Sequence, residues 1–136
     1  FGFNVLDVDS SYFTGQAPMY AAGTTTIINV SGMSLDTAGW NLNGIYQNVL
    51  FNFYEAESVD INAAFGASIL APLATVENIT SIEGTVIALN YINSGELHPE
   101  HFTGDLSGVS AVPLPAAGWL FLSALIGLGA ARRRKV

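Results

Sequence analysis

The chain lacks cysteine altogether. That excludes a disulfide framework and any thiolate metal site. It is also short of positive charge, with only four Lys and Arg among 136 residues, and all four fall in the last five positions, as Arg132, Arg133, Arg134 and Lys135. The 11 Asp and Glu lie between Asp7 and Asp105, so residues 1–131 carry −11 although the whole chain sums to −7. No phosphate-binding patch can be built from such a body, and nucleic acid is not expected as a partner. An acidic surface suits divalent cations or hydrated polymers better, or serves only solubility. There is no nucleophile elbow, phosphate loop or Cys–His pair, so an enzyme is not expected either. No cofactor is implied.

What is present in quantity is apolar residue, 50% of the chain with a positive mean hydropathy, which is enough to bury a core. The sequence begins at Phe1 without a Met or a signal peptide and reads as the carboxy-terminal part of a longer precursor.

The stretch from Ala116 to Ala131 is without a charge and rich in Leu, Ala and Gly. As a helix it would be about 24 Å long, short of a bilayer core of roughly 30 Å. Starting instead at Val112 brings it close to a span, with Pro113 and Pro115 in the first turn, where a missing N–H does least harm. Trp119 then sits where an interfacial aromatic belongs, and the basic cluster stays on the cytoplasmic side. Only Ser123 interrupts the run, whereas a core helix would carry a polar stripe. A transmembrane helix over 116–131 with a basic stop at 132–135 is the reading.

This tail resembles the PEP-CTERM class of bacterial sorting signals, in its VPLPA-type variant. The motif is Val112, Pro113, Leu114, Pro115 and Ala116, followed by the hydrophobic helix and the basic residues. The resemblance implies recognition by an exosortase, an integral membrane peptidase of transpeptidase type that releases the body from its helix. The expected life history is export, a transient inner-membrane anchor, and then the cell surface or the extracellular space. The physics agrees, since Pro lacks a donor and disfavours helix in the residue before it, leaving an extended, cleavable segment at the membrane surface.

Residues 1–106 read as all-β. Short runs, "TTTIINV" from Thr24, "NVLFNF" from Asn48, "SVDIN" from Ser58 and "TVIALNYI" from Thr85, are separated by Gly, Asn, Asp, Ser and Pro. "GASILAP" begins at Gly66 and "GTVIALN" at Gly84, and the interval between them, taken once more backwards from Gly66, reaches Asn48. A fixed register of that interval puts Phe51, Ile69 and Ile87 in one column and Leu50, Ser68 and Val86 in the next. It stacks Asn48, Gly66 and Gly84 on successive turns. Such repetition is the mark of a β-solenoid, or β-helix, although periodicity alone leaves a sandwich open.

A second resemblance favours the solenoid. "LFNF", "GASILAP", "IEGTVIA" and "GELH" followed by Phe102 and Gly104 are similar to the terminal part of choice-of-anchor A family domains, over about Asn48 to Leu106 and more weakly over 1–106. The resemblance implies an extracellular bacterial adhesive module of β-helical type, related in shape to ice-binding proteins, with 107–111 as linker and 112–136 as sorting signal. The Gly-rich turns that open such domains are missing here. Gly95, Glu96, Leu97 and His98, the "GELH" motif, are expected to cap or turn the last solenoid coil.

Three other clusters can be weighed for chemistry. "DVDSSY" from Asp7 resembles the start of an EF-hand loop, but Tyr12 stands where Gly is required and Pro18 where a bidentate Glu is required. In "ELHPEH", Glu96, His98, Glu100 and His101 are metal-ligand types, yet Pro99 prevents the helix that would align the two histidines. In an extended segment Glu96 and His98 point to one side. Glu55, Glu57 and Asp60 could form an acid–base pair, but nothing marks two of them as unequal in environment. The sequons at Asn29 and Asn78 are read as accidental in a bacterial chain.

The chain is therefore expected to be an exported surface or matrix protein, adhesive or structural, acting through flat strand faces. The alternative is an ice- or polysaccharide-binding protein. Ice binding would need a regular Thr ladder, of which Thr24 to Thr26 is only a fragment.

Overall fold

The computed structural model describes residues 2–109. The expected sorting motif at Val112–Ala116, the helix over 116–131 and the basic stop at Arg132–Lys135 lie outside them. Among the described residues, no helix is long and apolar enough to cross a membrane.

The strands of the described residues are joined entirely by parallel pairing. They are β1 (Gly2–Val8), β2 (Thr24–Val30), β3 (Ser34–Asp36), β4 (Leu42–Asn52), β5 (Ser58–Ile61), β6 (Phe65–Asn78), β7 (Ser81–Glu83), β8 (Val86–Asn93) and β9 (Glu96–His98). The only helix among the described residues is a single 3-10 turn, Ser10–Phe13, capped by the Asp9 carboxylate. Each stretch of strand pairs in parallel with the stretch one coil later, and the long β4 and β6 bend to serve more than one side, which is the β-solenoid wiring, here with about five coils.

Three strips run along the axis. Strip A stacks β1, β2, the end of β4, the start of β6 and the start of β8. Strip B stacks β3, β5, the end of β6 and the end of β8. Strip C stacks the start of β4, the start of β6, β7 and β9. Because side chains alternate along a strand, each strip sends one set of columns inward. Inward on A runs Ile28, Phe51, Ile69, Val86, with Leu6 in the same register but exposed at the open first coil. On B it is Leu35, Val59, Val76, Tyr91, and on C Leu42, Phe65, Ile82, Leu97. These columns meet in one core.

The coils are not of equal length. On strip B the stacked partners Ser34 and Ser58 are 24 residues apart in sequence, whereas Thr75 and Asn90 are only 15 apart. Strip C shortens in the same direction through Leu42, Phe65, Ile82 and Leu97, and its last step, from Glu83 to His98, is again 15. The solenoid tapers, and the fixed register is corrected accordingly. It holds for Phe51 over Ile69 and Leu50 over Ser68. One coil later the step has shortened, so Ile69 meets Val86 and Leu70 meets Ile87.

The expected Asn48–Gly66–Gly84 stack does not form. An irregularity between Tyr46 and Leu50 shifts the pairing. An added Cβ on Gly66 would collide with the Gly44 carbonyl oxygen, and one on Gly84 with that of Ala67. These two glycines let neighbouring coils pass in backbone contact. Asn48 instead turns its side-chain amide to the carbonyls of Ala21 and Thr24.

Beyond β9 the chain reverses and runs back along the outside of strip A. Thr85 Oγ1 donates to the Glu100 carbonyl at 3.4 Å, the Thr103 N–H donates to the Gln47 carbonyl at 2.7 Å, and the Asp105 N–H donates to Thr25 Oγ1 at 2.7 Å. Gly108 comes to rest beside the Phe3 ring. This strap crosses strip A from its fifth rung to its first.

Candidate binding surface

The strap divides strip A's outer face into a covered part and an open part. The covered part contains Thr25 and Ser68, both buried. The "TTT" run is thereby removed as an ice-type ladder, since Thr26 is also buried and Thr24 half-buried. The open part begins with the ends of β1, β2 and β4. Here three tripeptides repeat polar–apolar–polar, Asp7-Val8-Asp9, Asn29-Val30-Ser31 and Asn52-Phe53-Tyr54, with the middle residue inward. Asp7, Asn29 and Asn52 share one column. Asn29 Nδ2 donates to Asp7 Oδ1 at 2.9 Å, and Asn52 Nδ2 donates to Asn29 Oδ1 at 2.9 Å. A cleft of about 610 Å³ is lined by this column together with Asp9, Ser31 and Tyr54. Two hydrogen bonds from Ser11 hold the Asp9 carboxyl below the usual carboxylate range.

Asn29 and Asn52 also border a second groove, of about 700 Å³, formed by apolar side chains including Val5, Ile27, Leu50, Leu70 and Leu106. Polar cleft and apolar groove are thus contiguous on one face.

Strip B presents the most regular outer face. Ser34, Ser58, Thr75 and Asn90 form one outward column, and Asp36, Asp60, Glu77 and Ile92 form the next. The hydroxyls of Ser34 and Ser58 are 3.2 Å apart, and Asn90 Nδ2 donates to Thr75 Oγ1 at 3.3 Å. Asp36 accepts from the Ala38 N–H and from Asn62 Nδ2, each at 2.8 Å. Rungs follow one another at about 4.8 Å, the spacing of paired strands.

The "GELH" residues form the last rung of strip C. Gly95 packs against Thr80, since an added Cβ would collide with the Thr80 carbonyl oxygen. The Glu96 N–H donates to that same carbonyl, Leu97 closes the inward column, and His98 lies opposite Glu83. His98 Nδ1 is 2.7 Å from Glu83 Oε1, and Nε2 is 3.5 Å from Glu96 Oε2. The bond to Glu83, with its charge, raises the imidazole pKa above its ordinary value. Glu100 is turned away toward Gln47, whose Nε2 donates to it at 2.8 Å, while His101 is exposed. Among the described residues, no group of three or more His, Cys, Asp or Glu could hold a metal ion.

The carboxylates of "EAESVD" are dispersed. Glu55 Oε1 accepts from the Gly32 N–H at 2.8 Å and ties two coils together. Glu57 is exposed, and Asp60 belongs to the strip B column. They form no facing pair. The polar column that sequence reasoning missed is the one through Asn29 and Asn52. Its signal was the repeated polar–apolar–polar triplet, hidden because its steps are 22 and 23 residues, longer than the interval between the glycine-led runs.

A family described as "Putative Ice-binding-like adhesive domain" has a model that matches residues 2–99, nearly all of the solenoid. The chain belongs to that family. No curated protein and no solved structure matches it. As an ice-binding-like adhesive domain, the molecule offers two outer faces, strip B and the open end of strip A. The strap borders the second, since Leu106, Gly108 and Val109 line the apolar groove beside Asn29 and Asn52.

Proposed function

We propose that this chain is an exported bacterial cell-surface or extracellular-matrix protein with no catalytic activity, which adheres through the outer faces of its solenoid. The observation that carries the reading is the family match over a solenoid whose strip B repeats hydroxyl and carboxylate groups on successive coils. A rigid grid of weak contacts gains affinity through preorganisation, without a deep pocket. The negative body favours hydrated polymers and cell surfaces over nucleic acid.

The proposal extends to the tail. Val112 to Ala116 serve as the recognition motif of an exosortase-type peptidase, and Arg132 to Lys135 as the cytoplasmic stop of a transient inner-membrane anchor. Intact-mass analysis of the exported protein should show loss of the region after about Pro115. Recovery of protein ending in Val136 would refute processing.

Adhesion itself is tested with beads coated with the protein and challenged with cells in flow. Wild-type beads should be retained, and a Ser58→Lys, Thr75→Lys pair should reduce retention several-fold. Retention no better than with albumin-coated beads counts against the reading. Ice binding is the second reading, favoured by the Ser34–Ser58–Thr75–Asn90 column. It predicts thermal hysteresis that Thr75→Tyr abolishes.

A further inference from the structure

The open end of strip A differs from strip B in having a concave site. Asp7, Asn29 and Asn52 are locked head to tail by two side-chain hydrogen bonds of 2.9 Å. Each primary amide spends one N–H on its neighbour and keeps a second N–H free. The next residue in the column after Asn52 is Leu70, which cannot donate to the Asn52 carbonyl oxygen. Ser31 Oγ donates to the Val8 carbonyl at 3.2 Å, which leaves its oxygen lone pairs to accept. The result is a fixed row of alternating donors and acceptors, closed at one side by the Tyr54 ring, which is 45% exposed.

The chemistry of the surroundings narrows the ligand. The charged groups lining the cleft are Asp7 and Asp9 alone, so sulfated, phosphorylated or uronic polymers would be repelled. A bound metal ion is disfavoured because the cleft offers only two carboxylates, and among the described residues no group of three or more His, Cys, Asp or Glu could hold one. A purely apolar ligand would leave the amide row without partners, at a cost of about 1–3 kcal/mol for each buried group. The required ligand has hydroxyl edges that both donate and accept, and apolar faces that can lie on Tyr54 and along the groove of Val5, Ile27 and Leu50. Extended chains of neutral pyranose rings have this combination. The volume of about 610 Å³ is within the usual range of roughly 300–1,000 Å³ for small-ligand sites.

We propose that the cleft formed by Asp7, Asn29, Asn52, Ser31 and Tyr54 binds an uncharged polysaccharide. The inference deepens the adhesive reading and rests on it, since it names a ligand class for one of the two outer faces.

The test is isothermal titration of the full chain, held in a detergent without sugar headgroups, with cellohexaose, chitohexaose and oligogalacturonate. At least one neutral hexaose should bind and oligogalacturonate should not. Tyr54→Ala and Asn52→Leu should each weaken binding tenfold or more with an unchanged circular dichroism spectrum. The second substitution extends the Leu70 column by one rung and so suits the fold. Absence of neutral-glycan binding, preference for oligogalacturonate, or full affinity in both variants would overturn the site. The bead assay separates the two readings. If wild-type beads adhere and no neutral hexaose binds, adhesion stands and the cleft fails. If the hexaose binds to the wild type, is lost in Tyr54→Ala, and beads do not adhere, the cleft stands and adhesion fails.

Discussion

The two ends of the solenoid are built from different material. Near the first coils the core is aromatic. Phe13, Trp40, Phe51, Phe53 and Phe65 are buried, and the rings of Phe51 and Phe65 meet edge to face at 4.9 Å. Toward the last coils it is mostly aliphatic, with Ala71, Ala74, Val76, Ile82, Val86, Ala88 and Leu97, and one half-buried ring, Tyr91. The coil shortens with the side chains it encloses, from 24 residues between Ser34 and Ser58 to 15 between Thr75 and Asn90. A close-packed interior leaves no alternative, because a long coil around small residues would enclose a void and a short one around rings would clash. Cross-section is thus written in core volume, coil by coil.

The largest expected effect comes from emptying the wide end. Phe51→Ala removes the ring at the centre of the aromatic cluster and should cost about 3–5 kcal/mol, measured by chemical denaturation. Gly66→Ala breaks the close passage between coils where wide gives way to narrow. Its Cβ would meet the Gly44 carbonyl, and with no flexible side chain to yield the loss should be roughly 1–3 kcal/mol, as for other overpacked sites. Ile82→Val at the narrow end should cost about 0.5–1.5 kcal/mol. If Ile82→Val proved as damaging as Phe51→Ala, the contrast between the ends would be wrong.

The smallest effect is pH-dependent and confined to the narrow end. His98 has a raised pKa in the folded chain through Glu83. The stabilisation is therefore fully present below the ordinary histidine value and is lost as pH rises through the elevated one. Amide exchange in β7 and β9, corrected for intrinsic rates, should be slower at pH 6 than at pH 8. Glu83→Gln should flatten that difference, and β1 and β2 should not follow it.

The all-β solenoid is legible in the sequence through Gly-separated apolar runs, which also place Phe51 over Ile69 correctly. A constant period misplaces Ile87 because the enclosed volume falls along the axis. The same constancy hides Asn29 and Asn52. Each is visible, one as an accidental sequon and the other as part of "LFNF", but their alignment with Asp7 depends on coils of 22 and 23 residues. Strap contacts such as Asp105 with Thr25 join residues 80 apart. No local pattern announces them. The "GELH" turn is easier, since Gly, a paired Glu and His, and one inward Leu suffice to describe a terminal rung.

The strap also determines how the molecule responds to load. Because Gly108 lies beside Phe3 of the first coil, a pull applied beyond Val109 reaches the strap before it reaches any coil. The bonds at Thr25, Gln47 and Thr85 would open one after another, from the wide end to the narrow, while the core columns stay closed. Stretching by its carboxy-terminal end should therefore show a low-force lengthening before the solenoid yields. In the adhesive role proposed above, such give would spread a sudden tug over time and spare the grip.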